Sequence, residues 1–342
     1  NMRYRDISLD ELEEIEQELH LSEESRKGLL NYTKIEIYDA MHTHLSILSK
    51  DDKDYLDYYT YIKKKLVCYL LRYSSSVHGS TAKERAKAEK VLKRVQSYDR
   101  KNPIVSYRLG CLAYVQKKFS ESIVHFQKAL DFQKDYSDGA FLLSTEQINR
   151  AVLYLSNCSL HTACQALVIG SENGQNNGAG NPIFTGFFTQ LSYNEGVLKS
   201  QAYRMTTLDG TEYCSIEECS ETCSSAPKDT VMLFFRDTGT ELHFNGIKEA
   251  VAAPHAHVLR HLLLNAHRLK AVTPVCLKDY FLDSHVIGGA SKHALEPVME
   301  NLNTLLTELE TQISIKETDG GYQLIGSFEY ILMDRADEHL AD

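Results

Sequence analysis

The 342-residue sequence predicts a mainly α-helical protein that ends in a smaller region of mixed helices and strands. Three observations support this fold class. Apolar residues recur every three or four positions through most of residues 1–205, as in helices that pack on one side. A segment that begins near Asn102 has the pattern of two consecutive packed helices. After Pro227 the pattern changes to the alternation of strands, and Asn245-Gly246 is a strong hairpin turn.

The first helices follow from this spacing. Residues 10–20 place Leu12, Ile15 and Leu19 on one face. Residues 54–73 form a longer stripe: Leu56, Tyr59, Ile62, Leu66, Tyr69 and Leu70. Because an aromatic stripe at helical spacing usually packs into a core, we interpret these tyrosines as core residues and not as a binding site.

The helix pair after Asn102-Pro103 resembles one tetratricopeptide repeat (TPR). Leu109-Gly110 matches the small-residue contact of its first helix. The packing positions of its second helix are matched by Phe119, Ser122, Phe126 and Ala129. Residues 88–102 resemble the second helix of a preceding unit, and residues 142–155 and 160–168 a looser unit after it. Such units bury their faces only by stacking, so the resemblance implies a helical-repeat domain that receives a peptide or protein.

The C-terminal region is predicted to contain strands, three helices and a final hairpin. Strands are expected at residues 231–235 and 241–244, and helices at 257–267, 275–283 and up to Glu310. Ile313 and Ile315 then alternate, a turn follows at 319–321, and Tyr322 and Leu324 lie on the returning strand. This order is that of an α+β winged helix-turn-helix domain.

In order and detail, residues 229–327 resemble the OmpR-type winged helix-turn-helix domain of response regulators. The matching positions are Phe244-Asn245-Gly246, the core residues Val258, Leu259, Leu262 and Leu263, Val272-Thr273 with Leu277 and Phe281, the helix 291–306 with Ala294, Leu295, Met299, Leu302 and Leu306, and Gly321-Tyr322. In that family the third helix enters the DNA major groove and the hairpin, or wing, reaches the minor groove. The resemblance implies DNA contacts at Lys292, His293, Asn301, Asn303, Lys316 and Thr318.

The third helix departs from the family pattern. Positions that usually carry arginine or lysine hold Glu296, Asn301, Asn303 and Thr304, and Glu300 adds a further negative charge. Pro297 lies inside the helix, where it removes a backbone donor and can cause a kink. A protein that reads DNA normally neutralises several phosphates with basic side chains.

Charge is distributed unevenly along the chain, whose formal net charge is −10. Residues 83–134 contain thirteen Lys/Arg against five Asp/Glu, and residues 231–342 contain nine against sixteen. The basic stretch is interpreted either as the solvated outer faces of the helices or as a surface for an acidic partner, such as the protein's own C-terminal domain or DNA.

Two functions therefore remain open. The first is a cytoplasmic transcriptional regulator whose repeats sense a peptide or protein and whose winged helix binds double-stranded DNA. A homodimer would let it read two half-sites. The alternative is a non-enzymatic adaptor whose acidic winged helix contacts proteins instead of DNA. The receiver domain usual in response regulators is missing from the pattern, so control by aspartate phosphorylation is not expected.

Catalytic and metal sites are not expected from the sequence. No nucleophile or zinc-protease motif is present, and we expect no enzymatic activity and no cofactor. Cys214, Cys219 and Cys223 lack a C-x-x-C pair and a fourth ligand, so a zinc site is disfavoured. A metal site is also disfavoured at His255, His257 and His261, which have no carboxylate nearby as a further ligand. It is disfavoured at His42 and His44 because residues two apart on a helix point to different faces.

The composition and pattern predict four segments. They are a helical repeat domain at 1–205, a linker at 206–228, the winged helix at 229–327 and a C-terminal tail at 328–342. Apolar residues make up 43% of the chain, and its longest apolar runs are too short to span a bilayer. No basic-then-apolar leader opens the sequence, so we expect a cytoplasmic location and no membrane contact.

Overall fold

The computed structural model describes residues 4–21, 31–76, 81–172, 182–236, 239–266, 271–273, 292–318 and 321–336. This part of the chain is mainly helical, and its strands lie in the C-terminal portion. Its helices are α1 (Leu9–Leu21), α2 (Asn31–Asp51), α3 (Tyr55–Ser76), α4 (Ala82–Tyr98), α5 (Pro103–Val115), α6 (Phe119–Asp135), α7 (Thr145–Glu172), α8 (Pro182–Ser200), α9 (Ile216–Ser225), α10 (Ala253–Ala266) and α11 (Lys292–Glu308). Its strands are β1 (Tyr203–Thr206), β2 (Thr211–Cys214), β3 (Thr230–Arg236), β4 (Gly239–Phe244), β5 (Ile247–Val251), β6 (Ser314–Thr318), β7 (Gly321–Ile325) and β8 (Glu329–Arg335).

Helices α1 to α8 pack in sequence order, each against its neighbour along the chain. One apolar core runs through α1 to α7. It includes most of the residues predicted for the first stripes, among them Leu12, Ile62 and Leu66, which are buried. Leu56 is an exception and remains half exposed. The helices predicted at 10–20 and 54–73 are therefore α1 and α3.

The α5–α6 contact has the packing expected from the sequence. A Cβ atom on Gly110 would lie 2.9 Å from the ring of Phe126, so only glycine allows this close approach without movement. The hydroxyl of Ser122 donates a hydrogen bond of 2.9 Å to the carbonyl of Gly110. All four predicted packing positions of α6 are buried: Phe119, Ser122, Phe126 and Ala129.

The structure differs from the prediction after α6. Instead of two helices at 142–155 and 160–168, α7 is one continuous helix of 28 residues. Two polar residues within it, Ser159 and Thr162, donate their hydroxyls to the carbonyls of Leu155 and Cys158, four positions earlier. Helix α8 ends at Ser200, and strand β1 begins three residues later at Tyr203.

A six-stranded sheet in the order β2-β1-β8-β3-β4-β5 is the centre of the C-terminal portion. Strand β3 pairs parallel with β8, and its other partner β4 is antiparallel. Along β3, Val231 and Leu233 enter a core with α10 and α11, whereas Met232 and Phe234 enter a second core that contains residues of α9. Burial on both faces explains why 231–235 is a continuous apolar run.

Two predicted segments differ from the structure. The linker expected at 206–228 contains β2 and α9, and α9 begins with a capping box in which Ser215 and Glu218 satisfy each other's backbone N–H groups. The tail expected at 328–342 contains β8, whose Leu332 and Met333 are buried in the two cores. Strands β2 and β8, one in each of these segments, therefore belong to the six-stranded sheet. Among the helices of the described residues, none offers an apolar stretch long enough to cross a membrane.

Candidate nucleic-acid interface

The predicted DNA contacts fall on α11 and on the β6–β7 hairpin. The inner face of α11 is apolar and fully packed. It contributes Leu295, Val298, Met299, Leu302 and Leu306 to the core shared with α10 and the hairpin. Pro297 lies inside α11, and the helix continues past it to Glu308. The helix predicted at 275–283 lies outside the described residues.

The hairpin is attached to the preceding chain through backbone pairing at Val272. The N–H of Val272 donates to the carbonyl of Tyr322 at 2.7 Å, and the reverse bond measures 2.9 Å. Gly321 makes this approach possible: it has φ +140°, and a Cβ there would lie 2.4 Å from the carbonyl oxygen of Val272. The structure thus joins two sequence motifs, Val272-Thr273 and Gly321-Tyr322, that the sequence places 49 residues apart, from 272 to 321.

Asn303 connects α11 to the hairpin. Its side-chain amide donates to the carbonyl of Ile315 at 3.0 Å, and its side-chain oxygen accepts from the N–H of Ile315 at 2.7 Å. Both hydrogen-bonding groups of Asn303 are therefore used inside the protein. This predicted DNA-contact residue has a structural role in the present conformation.

The remaining predicted contacts have different environments. Asn301 and Lys316 are exposed on α11 and β6. The hydroxyl of Thr318 donates to the carbonyl of Gly321 at 3.1 Å and closes the hairpin turn. Lys292 and His293 begin α11, but their side chains lie outside the described residues.

The outer side of this unit is acidic. Exposed positions on α11 include Glu300, Asn301, Thr304 and Glu308, and the hydroxyl of Thr304 is bonded to the carbonyl of Glu300. We call the following five residues the acidic surface: Glu296, Glu300, Glu308, Glu310 and Glu317. Among the described side chains of α11, β6 and β7, Lys316 is the one lysine or arginine.

A buried ion cluster connects β1, β8 and α10. The carboxylate of Asp334 on β8 contacts Arg204 of β1 through two hydrogen bonds of 2.9 and 3.2 Å, and Arg260 of α10 at 3.5 Å. Asp334 is 2% exposed and Arg260 5%. Sequence reasoning missed these residues because 130 positions separate Arg204 from Asp334 and no local pattern links them.

Two of the candidate histidines, His255 and His257, have packed surroundings. His255 is 7% exposed, and burial lowers its pKa, so the ring is held neutral. The ring of His257 stacks on Phe235 with 5.3 Å between centroids. Within the described ranges, no group of three or more His, Cys, Asp or Glu side chains is arranged to hold a metal ion.

The basic stretch is partly internal. Arg94 pairs with Asp39 at 3.1 Å, and Arg108 donates to the carbonyl of Leu71 at 2.8 Å. Other cations on α4 face outward: Lys83, Lys87, Lys90 and Lys93. Lys93 is engaged by Glu89 at 2.6 Å.

Comparison with known proteins identifies no relative of this chain. No family model, no curated protein and no solved structure matches it.

Proposed function

We propose that this chain is a non-enzymatic interaction protein in which residues 229–327 form a winged helix that binds a basic protein partner. The observation that carries the proposal is the acidic surface on α11 and the hairpin, at the position where a DNA-binding protein of this type needs cations.

The order of elements supports the winged-helix assignment. Strands β3 to β5 are followed by α10, the short pairing at Val272, α11 and the β6–β7 hairpin. Gly321 provides the close backbone approach between the hairpin and Val272. This order and this close approach support the resemblance to the OmpR-type domain.

The charge of the outer face argues for a protein partner. Binding to DNA requires that Lys and Arg neutralise phosphates, and a carboxylate near the DNA backbone opposes binding. Glu300 and Glu308 stand on the exposed side of α11, and Asn303 is already bonded to Ile315. Charge complementarity favours a partner segment rich in lysine and arginine. Such a segment would be attracted at long range, and salt would weaken its binding.

The helical region would supply a second contact surface. In its α5–α6 pair, Gly110 lies against Phe126 and its carbonyl accepts a hydrogen bond from Ser122, which supports the proposed TPR-like packing. Stacked helix pairs form extended surfaces that suit peptides. An adaptor of this kind would join a partner on the helices to a basic partner on the winged helix.

The test uses the full chain and measures binding to a library of lysine- and arginine-rich peptides at two salt concentrations. We expect salt-sensitive binding that the charge reversals Glu300→Lys and Glu308→Lys together abolish. The control reverses two exposed carboxylates elsewhere, Asp57→Lys and Glu212→Lys, and leaves binding intact. Equal loss in both double variants would mean that net charge alone is responsible and would contradict the proposal.

A transcriptional regulator is the second candidate, favoured by Lys316 exposed on β6 and by Lys292 and His293 at the start of α11. Selection from random double-stranded DNA tests it in parallel. Enrichment of one sequence, lost in Lys292→Ala and Lys316→Ala, would establish the regulator and overturn the adaptor. No enrichment at low salt, together with peptide binding, supports the adaptor.

A further inference from the structure

Three cysteines lie together beneath the sheet, in the core opposite α10 and α11. Cys214 is the last residue of β2, and Cys219 is the fourth residue of α9. Their sulfur atoms are 3.3 Å apart, and the two residues are 7% and 0% exposed. Cys223 lies one helical turn after Cys219 and packs against the same core.

The local structure holds the two sulfurs close together. Cys214 pairs with Tyr203 in the β1–β2 hairpin. Ser215, the next residue, caps α9: its N–H donates to the carboxylate of Glu218 at 2.7 Å, and its hydroxyl accepts from the N–H of Glu218 at 3.2 Å. The turn from strand to helix is therefore fixed at both ends, and the sulfurs would move together by roughly 1.3 Å to reach the bond length of a disulfide.

We propose that Cys214 and Cys219 form a reversible disulfide and are an oxidative modification site of this protein. With hydrogen peroxide as the oxidant, the two S–H bonds and the O–O bond break, the S–S bond forms, and two molecules of water are released. A thiol reductant reverses the reaction by exchange. This inference is independent of the proposed function.

The surroundings determine the rate of the reaction. Burial raises the pKa of both thiols, and the thiolate is the reactive form. Oxidation is therefore slow at neutral pH and accelerates as the pH rises. Cys214, on the edge strand β2, is 7% exposed and Cys219 is fully buried, so Cys214 is the more accessible of the two to an oxidant. The bond then ties this edge strand to α9.

Protease mapping of the full chain tests the proposal. The reduced protein is treated with hydrogen peroxide, its free thiols are alkylated, and trypsin then releases residues 205–228 with all three cysteines. A glutamate-specific protease cuts after Glu217, Glu218 and Glu221 and separates the three from one another. We expect the fragments with Cys214 and Cys219 to remain joined until reduction, and Cys223 to carry the alkylating group.

Variants show whether the pair is specific. Cys214→Ser abolishes the joined fragment, whereas Cys164→Ser, a control in α7, retains it. The wild-type map stands by itself if Cys214→Ser does not fold. Three results would each overturn the proposal: no joined fragment in the wild-type protein, a bond between Cys219 and Cys223, or a bond between two chains.

Discussion

The α5–α6 helix pair and the β6–β7 hairpin both depend on a glycine at a close contact, but the two glycines work differently. Gly110 faces the side chain of Phe126, 2.9 Å from where its Cβ would be. Gly321 faces the backbone of Val272 at 2.4 Å and also has φ +140°. A ring can shift by a few tenths of an ångström, whereas a paired backbone cannot move without breaking its hydrogen bonds. The contact in the hairpin is therefore the less tolerant of the two.

Gly321→Ala is the strongest test of this difference. The added Cβ collides with Val272 and the backbone becomes strained, so we expect a loss of about 3–4 kcal/mol in the free energy of unfolding. Denaturant titration measures it. Gly239→Ala is the matched control, because Gly239 has the same φ of +140° with nothing within 4 Å. Equal losses would show that strain alone matters and that the approach to Val272 contributes nothing.

Gly110→Ala has an intermediate effect in the helical region. Overpacking against Phe126 costs about 3 kcal/mol, and the better helix propensity of alanine recovers about 1 kcal/mol, which leaves a net loss of about 2 kcal/mol. In Gly196→Ala, within α8, the new Cβ meets nothing within 4 Å, so this variant is stabilised by up to about 1 kcal/mol. A loss in Gly110→Ala as large as that in Gly321→Ala would remove the distinction between the two contacts.

Asn303→Ala tests the second attachment of the hairpin. Its loss leaves the N–H and carbonyl of Ile315 without their partner, and we expect a decrease of about 1 kcal/mol in the free energy of unfolding. Asn301→Ala, two positions away on the exposed side, changes it by less than about 0.5 kcal/mol. If the two variants are equally stable, Asn303 has no structural role and is again available as a binding residue.

The smallest effect is expected from pH. Burial lowers the pKa of His255 in the folded state, whereas a histidine in the unfolded chain has a pKa of about 6.5. Below that pH the unfolded chain binds a proton that the folded chain does not, so stability is complete at higher pH and falls as the pH decreases. His255→Gln removes this part of the acid sensitivity. Unfolding at pH 7.5 and 5.5 compares the two proteins, and identical losses would assign the effect to other groups, such as His42 and His125, whose pKa values burial also lowers.

The sequence predicts features whose partners lie close along the chain. Gly110 and Phe126 are 16 positions apart, and the pattern of two successive helices predicts that each lies at a packing position. The role of Asn303 was hidden, because its partner Ile315 is reached only through the way α11 packs on the hairpin. The cluster of Asp334 with Arg204 is more remote still, since strand pairing over 130 positions creates it.

Strand β8 shows a different limit. Residues 330–333 are a continuous apolar run without the alternation of a half-buried strand, so the sequence predicts a tail there. The structure places β8 between β1 and β3, with Tyr330 and Leu332 in one core and Met333 in the other. A strand covered on both faces has no polar side to reveal its period.

The position of β8 also imposes an order on folding. Thr230 of β3 pairs with Glu329 of β8, so β3 is synthesised 99 residues before its parallel neighbour. Until β8 leaves the ribosome, β1–β2 and β3–β5 can exist only as two separate antiparallel units, each with an unpaired edge and open apolar faces. Because the contacts of the helices are local, we expect the helices to form early and the sheet to close last.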